Sequence, residues 1–142
     1  MRALQYVDVP GYAALIVRKT FPDLSQPKGL IPTSHEWLSG TGASWSGEQH
    51  SWGFPSGATL RFGHLDHVNA VYQFQGASFQ RIIVDELAQH SKFDWGYLAT
   101  RLTQPIGHNF PLDLLATSNP PSFTQRHRYG EWVKRDFVDP AT

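Results

Sequence analysis

In Arg81-Ile82-Ile83-Val84 the arginine leads into a β-branched run with no polar alternation, which passes directly into the acidic pair Asp85-Glu86. A strand with one face in water alternates apolar and polar side chains. A strand without alternation is covered on both faces, which is the habit of parallel sheets. Two adjacent carboxylates at its carboxyl end fall where open α/β sheets bind their ligands.

Two further segments extend this reading. Ala13-Ala14-Leu15-Ile16-Val17 is a second continuous apolar run, punctuated by Pro10-Gly11 before it and closed by Arg18-Lys19-Thr20. Leu112 to Ala116 reads as a third parallel strand, finishing in Thr117-Ser118-Asn119-Pro120. Gln49 to Phe54 and Ala58 to Gly63 flank Pro55-Ser56-Gly57 and predict a hairpin. Phe93 to Thr103 carries apolar or aromatic residues at 93, 97, 98 and 102, the spacing of an amphipathic helix. A terminal helix is expected over Tyr129 to Val138, where Trp132, Val133 and Phe137 share a face. Met1 to Val9 reads as the end of a helix. Phe21 to Gly53 is rich in Pro, Gly and Ser, with one short helix over Ser34 to Ser39 that Ser34 caps. For Asp66 to Phe74, a brief helix and an irregular segment both fit.

Composition narrows the class. A chain of 142 residues is one domain by length, and 40% hydrophobic residues with five Trp mark a folded protein. The five Trp are expected in the core or packed under loops. Formal net charge is zero, so no global field draws it to nucleic acid or anionic lipid, and any DNA contact is local. The absence of cysteine excludes disulfides and thiolate metal sites. No apolar stretch approaches the roughly 18 residues of a membrane span, and Met1 to Tyr6 lacks a signal-peptide core. A soluble intracellular protein without a membrane partner is the expectation.

Three strands ending in Arg-Lys-Thr, Asp-Glu and Thr-Ser-Asn would line one rim of a sheet with polar groups. Catalytic sites of α/β proteins are assembled from such strand ends. A surface acidic pair that starts the next helix is the simpler alternative, being favourable on electrostatic grounds alone. In P-loop nucleotide hydrolases the strand followed by paired acids is the Walker B element, in which one acid holds Mg²⁺ and the second orients the attacking water. The companion phosphate cradle, G-x-x-x-x-G-K-[ST], is nowhere in these residues.

Five segments, in this order, resemble the ATPase region of the phage terminase large subunit, the motor of DNA packaging. They are Leu4 to Tyr12, Ala14 to Ser25, Phe54 to Gly63, Tyr72 to Leu87, and Thr117 to Pro120; a sixth, Glu131 to Phe137, is similar to the segment after the family's coupling motif. The resemblance implies an α/β, P-loop NTPase-like (ASCE-type) domain with a mainly parallel sheet, flanking helices and an inserted β-hairpin. Residues 1–142 would be part of that domain, without the first strand, the P-loop and the nuclease domain, and are expected to be inactive alone. It further implies Asp85 as the Mg²⁺-associated acid, Glu86 as the catalytic glutamate, and Thr117, Ser118 and Asn119 as the coupling motif. Arg18 and Arg101 become candidates for a nucleotide or neighbouring-subunit contact. ATP and Mg²⁺ are the expected ligands of the parent protein, and neither is expected to bind this chain tightly by itself. The implied partners are double-stranded DNA, the portal protein, the small terminase subunit and other motor subunits, in the cytoplasm of the bacterial host. The alternative is a non-catalytic phage protein of the same fold that binds DNA, portal or motor subunits.

Remaining features have plainer readings beside the functional ones. His64-Leu65-Asp66-His67, taken with Asp85 and Glu86, has the ligand types of a metal site, but close histidines in such a connection are more commonly solvent-facing. Arg126, Arg128, Lys134 and Arg135, with His127, form the densest basic patch, suited to DNA phosphates. Glu131, Asp136 and Asp139 are interspersed among them, which favours a solvated helix face. Leu112 to Ala116, without a further strand beside it, is expected to be an exposed apolar edge that promotes self-association.

Overall fold

The computed structural model describes residues 4–104, 107, 109–117 and 131–138. Its strands are β1 (Ala13–Arg18), β2 (Ser44–Ser46), β3 (Ser51–Gly53), β4 (Thr59–His64), β5 (Arg81–Val84) and β6 (Asp113–Ala116). They form one six-stranded sheet in the order β2-β3-β4-β1-β5-β6. The run from β4 to β6 is parallel, whereas β2–β3 and β3–β4 are antiparallel. The expected α/β sheet with an added hairpin therefore forms, and it is wider than predicted. β4 is both a hairpin arm and the parallel neighbour of β1, with Ala13 opposite Thr59 and Arg18 opposite His64.

Both faces of β1 and β5 are covered, as their continuous apolar runs require. Leu15, Val17, Ile82 and Val84 pack on one side with Val71, Phe74, Leu87, Leu98 and Trp132. Ala14, Ile16, Leu60 and Phe62 pack on the other with Leu24, Ile31, Leu38 and Trp52. Each fully buried aliphatic side chain of this kind contributes about 1.5–3 kcal/mol relative to exposure. The second face is supplied by α1 (Phe21–Ser25) and α2 (Leu30–Leu38). Gly29 joins them because a Cβ there would meet the Leu24 carbonyl oxygen at 2.4 Å. The first face is covered by a 3₁₀ turn over Ala70–Phe74, by α3 (Lys92–Ala99) and by a terminal helical segment, Glu131–Val133 continuing as a π-helical turn over Lys134–Val138.

Several local expectations are corrected. Leu4 has 3₁₀-helical backbone, but residues 5–9 form turns closed by Val7 N–H to Leu4 and Val9 N–H to Tyr6, so helix does not run on to Val9, whose place before Pro10 disfavours helical backbone. Ser34 does not cap a helix. It lies inside α2, buried, donating to the Ile31 carbonyl and accepting from Trp52 Nε1 at 2.9 Å. α1 was not expected at all; Thr20 caps it, its hydroxyl pairing with both the amide and the carboxylate of Asp23. α3 ends at Ala99, and Leu102 instead bridges to Phe79. Trp37 is 53% exposed, not a core residue.

Two buried polar side chains fix the sheet's register. Gln80, 2% exposed, accepts from the Ala13 amide and donates to the Thr103 carbonyl. Arg81, 3% exposed, places Nη2 2.6 Å from Asp113 Oδ2 on β6 and Nη1 2.9 Å from Gln5 Oε1. Among the described residues, no helix is long and apolar enough to cross a membrane. β6 stands at the end of the strand order, with Leu112 exposed beside it.

Candidate functional site

The parallel strands β1, β5 and β6 stop at the same end of the sheet, and four polar side chains meet there. Arg18 Nε lies 3.1 Å from Asp85 Oδ2, and Arg18 Nη2 lies 4.0 Å from Glu86 Oε1. The closer approach pairs charge without forming a directed hydrogen bond, since Nε has no hydrogen-bond acceptor. From the other side, the Thr117 hydroxyl donates to Asp85 Oδ1. One carboxylate is thus held between a cation on β1 and a hydroxyl following β6.

The backbone of the turn is held from both sides as well. The Asp85 amide donates to the Val17 carbonyl at 2.9 Å, and the Leu87 amide donates to the Thr117 carbonyl at 2.9 Å. Between them Glu86 adopts left-handed geometry, φ 58 and ψ 57. Left-handed backbone in a residue with a Cβ is strained by roughly 1–2 kcal/mol. Such strain persists where the surroundings over-determine it, commonly at functional sites.

Beneath the acids lies His90, 1% exposed, its Nε2 3.3 Å from the Asp85 carbonyl oxygen. Burial depresses its pKa to about 4, outweighing the bond to the Asp85 carbonyl that opposes the shift, so the ring is neutral at physiological pH. Trp132 Nε1 donates to the His90 carbonyl at 2.8 Å. Ser91 then caps α3 by accepting from the Asp94 amide at 3.1 Å. The Asp94 carboxyl is itself buried, which raises its pKa against the opposing Ser91 bond. A cavity of about 360 Å³ lined by Lys19, Asp66, His67, Ser91 and Asp94 opens beside this end of β1.

A family model, the N-terminal part of the terminase large subunit of T4-like virus type, matches residues 2–136. The chain belongs to the terminase large subunit family. This membership connects the chain with phage DNA packaging, and with the DNA and portal partners of packaging motors in general. No curated protein matches the chain at a significant level.

Within this terminase domain the candidate residues separate clearly. Arg18, Asp85, Glu86 and Thr117 come together. Ser118 and Asn119 of the expected coupling motif lie outside the described residues, as do Arg126 and Arg128 of the basic patch. Arg101 is not brought to the acids: its carbonyl accepts from the Phe79 amide, at the amino end of β5, and its guanidinium lies 5.4 Å from the Tyr97 ring. Arg135 is exposed and pairs with Asp136, which also holds Lys92 at 3.0 Å, while Lys134 lies in the same π-helical turn. Those ion pairs match the solvated-face reading of that stretch. His64 and His67 both turn towards Asp66, at 3.8 and 2.9 Å, and no three His, Cys, Asp or Glu side chains converge on a metal position among the described residues. His90 escaped sequence reasoning, because as one of seven histidines with no motif around it nothing marked it.

Proposed function

We propose that this terminase chain is part of the ATP-hydrolysing motor that packages double-stranded viral DNA, with a P-loop NTPase-like fold in which β5 and its acids are the Walker B element. The observation that carries the reading is the convergence of Arg18, Asp85, Glu86 and Thr117 at the carboxyl rim of adjacent parallel strands. A ligand at the open end of such a sheet meets strand-end side chains first.

The donor set suits a hard divalent cation, since carboxylate and hydroxyl oxygens are the ligands Mg²⁺ takes. Asp85 would hold it, and the ion's contribution is to neutralise charge on the phosphate oxygens. Glu86 is the base: its carboxylate orients and polarises a water for in-line attack on the γ-phosphate. Arg18 faces both acids and is itself a candidate for the phosphate once they rearrange. Thr117 begins the coupling motif with Ser118 and Asn119. A hydroxyl suits that role because it exchanges hydrogen-bond partners without moving a full charge. The chain is then a partial ATPase domain, with the portal protein, the small terminase subunit and neighbouring motor subunits as partners in the host cytoplasm.

Turnover of Mg²⁺-ATP tests the reading, measured on the chain and on the longest in-frame gene product that contains it. These residues hold no phosphate cradle of their own, so the expectation is negligible turnover by the chain. The longer product should hydrolyse ATP and lose at least about 100-fold with Glu86→Gln, the usual minimum for losing a positioned general base. Full activity of the Glu86→Gln product would remove the catalytic assignment. A longer product that binds DNA or portal but never hydrolyses ATP would favour the non-catalytic alternative.

A further inference from the structure

His90 occupies the gap between the acidic turn and the terminal helical segment, and its Nε2 and its carbonyl oxygen touch opposite sides of that gap. On one side its Nε2 faces the Asp85 carbonyl oxygen at 3.3 Å. On the other its own carbonyl accepts the Trp132 indole N–H, both groups being buried. Its amide returns to the Leu87 carbonyl at 3.0 Å, and the Gln89 amide returns to Glu86 at 2.9 Å, so the intervening 3₁₀ turn is short and stiff. Nδ1 has no partner among the described residues.

These contacts determine where the ring proton sits. A carbonyl oxygen only accepts, so the nitrogen facing it must carry the hydrogen. The other tautomer would set two lone pairs against each other and leave a buried N–H at Nδ1 unsatisfied, which costs more than a bare acceptor.

We infer that His90 is a positioning residue for the Asp85–Glu86 turn, in the neutral Nε2–H tautomer, and that it couples the left-handed geometry of Glu86 to the seating of Trp132. The assignment of a catalytic purpose to this link rests on the ATPase reading above; the link itself does not. If Glu86 leaves its left-handed conformation, the stiff turn moves the His90 ring away from Asp85 or drags its carbonyl from the indole. Displacing Trp132 frees the same turn from the opposite end.

Nuclear magnetic resonance of the ¹⁵N-labelled chain tests both parts. The expected imidazole signature is a protonated Nε2 and a bare Nδ1 at neutral pH, and the Trp132 indole resonance should move when Glu86→Val, whose branched Cβ disfavours left-handed backbone, displaces the turn. His90→Leu removes the donor while filling the space. In that variant, amide exchange at Leu87 should accelerate about ten-fold, the effect of losing one ordinary hydrogen bond. Glu86→Val introduced into it should no longer move the indole. His90→Gln, whose amide reaches towards the Nε2 position, should restore slow exchange. Should His90→Leu fail to fold, Trp132→Phe supplies the same test from the other end, with faster Leu87 exchange expected. A protonated Nδ1, or an indole indifferent to Glu86→Val in the otherwise unaltered chain, overturns the inference. None of these readouts involves nucleotide, so a failed ATPase reading leaves them standing.

Discussion

Arg18 and Asp85 belong to neighbouring parallel strands, and their charged ends meet 3.1 Å apart just where the strands stop. The pair, with Glu86 4.0 Å from the same guanidinium, leaves two adjacent carboxylates sharing one cation. Arg18→Met keeps the aliphatic stem and removes that cation. Because all three side chains retain some solvent contact, the expected loss is only about 1 kcal/mol, measured by urea unfolding. Most of it should return in the double variant with Asp85→Asn. An additive double variant would show that the pair contributes nothing as a pair.

Glu86→Gly should make the protein more stable while removing the proposed base. The left-handed backbone at φ 58 suits glycine and strains any residue with a Cβ. A gain of about 0.5–1 kcal/mol is expected, with no such gain for Glu86→Ala. Equal stability of the two variants would mean that the conformation is not held in solution.

Asp113→Asn should cost about 3 kcal/mol, the low end for breaking a buried ion pair. Arg81 is nearly inaccessible and would lose its carboxylate partner on β6, while its contacts with Gln5 and with the Tyr6 ring, 5.6 Å away, carry no charge to offset its own. A shift in the denaturation midpoint at constant slope is the expected readout. A change below about 0.5 kcal/mol, the ordinary range for a surface substitution, would count against a buried pair.

Acid should weaken the fold through His90. Its folded pKa, about 4, lies below the unfolded value near 6.5, so the unfolded chain takes up the proton first as pH falls. Above pH 6.5 the residue is neutral in both states and contributes no pH dependence. Between about 6.5 and 4 stability drains away, by ~3 kcal/mol over the interval, and below 4 the loss levels off. Asp94 acts oppositely, because burial raises its pKa and the folded state then binds the extra proton. The comparison is therefore the pH slope of the unaltered chain against His90→Gln, which should be shallower over this window.

Gly63→Ala should be destabilising by about 1–3 kcal/mol, the cost of overpacking a core. The added Cβ would lie 2.6 Å from Phe74 Cζ, and Phe74 is fully buried. Pairing it with Phe74→Leu should relieve part of that penalty in a thermal melt.

The parts legible in the sequence were those in which burial writes itself along the chain. β1 and β5 are covered on both faces, so Ala13 to Val17 and Ile82 to Val84 appear as unbroken apolar runs, and their polar ends mark the rim. Arg18, Asp85, Glu86 and Thr117 could be foreseen together for that reason. β4 was seen only as a hairpin arm, because its pairing with β1 joins residues more than forty positions apart and leaves no local trace. α1 was hidden by its five-residue length, although Thr20 and Asp23 carried a capping signal. Arg101 went astray because α3 leads the chain away from the rim, so the residue just past it returns at the amino end of β5. His90 and Gln80 owe their roles wholly to what the fold places around them.

Gln80 sits at the opposite end of β5 from the acids, where its carboxamide takes the Ala13 amide and the Thr103 carbonyl. A strand that slips by one residue exchanges its two faces. Here such a slip would swing Asp85 away from Arg18 and present Val84 to the rim. Gln80 works as an indexing stop: it engages only when Arg81 stands opposite Ala14, and so it determines, five residues before Asp85, which side chains the chemistry will find.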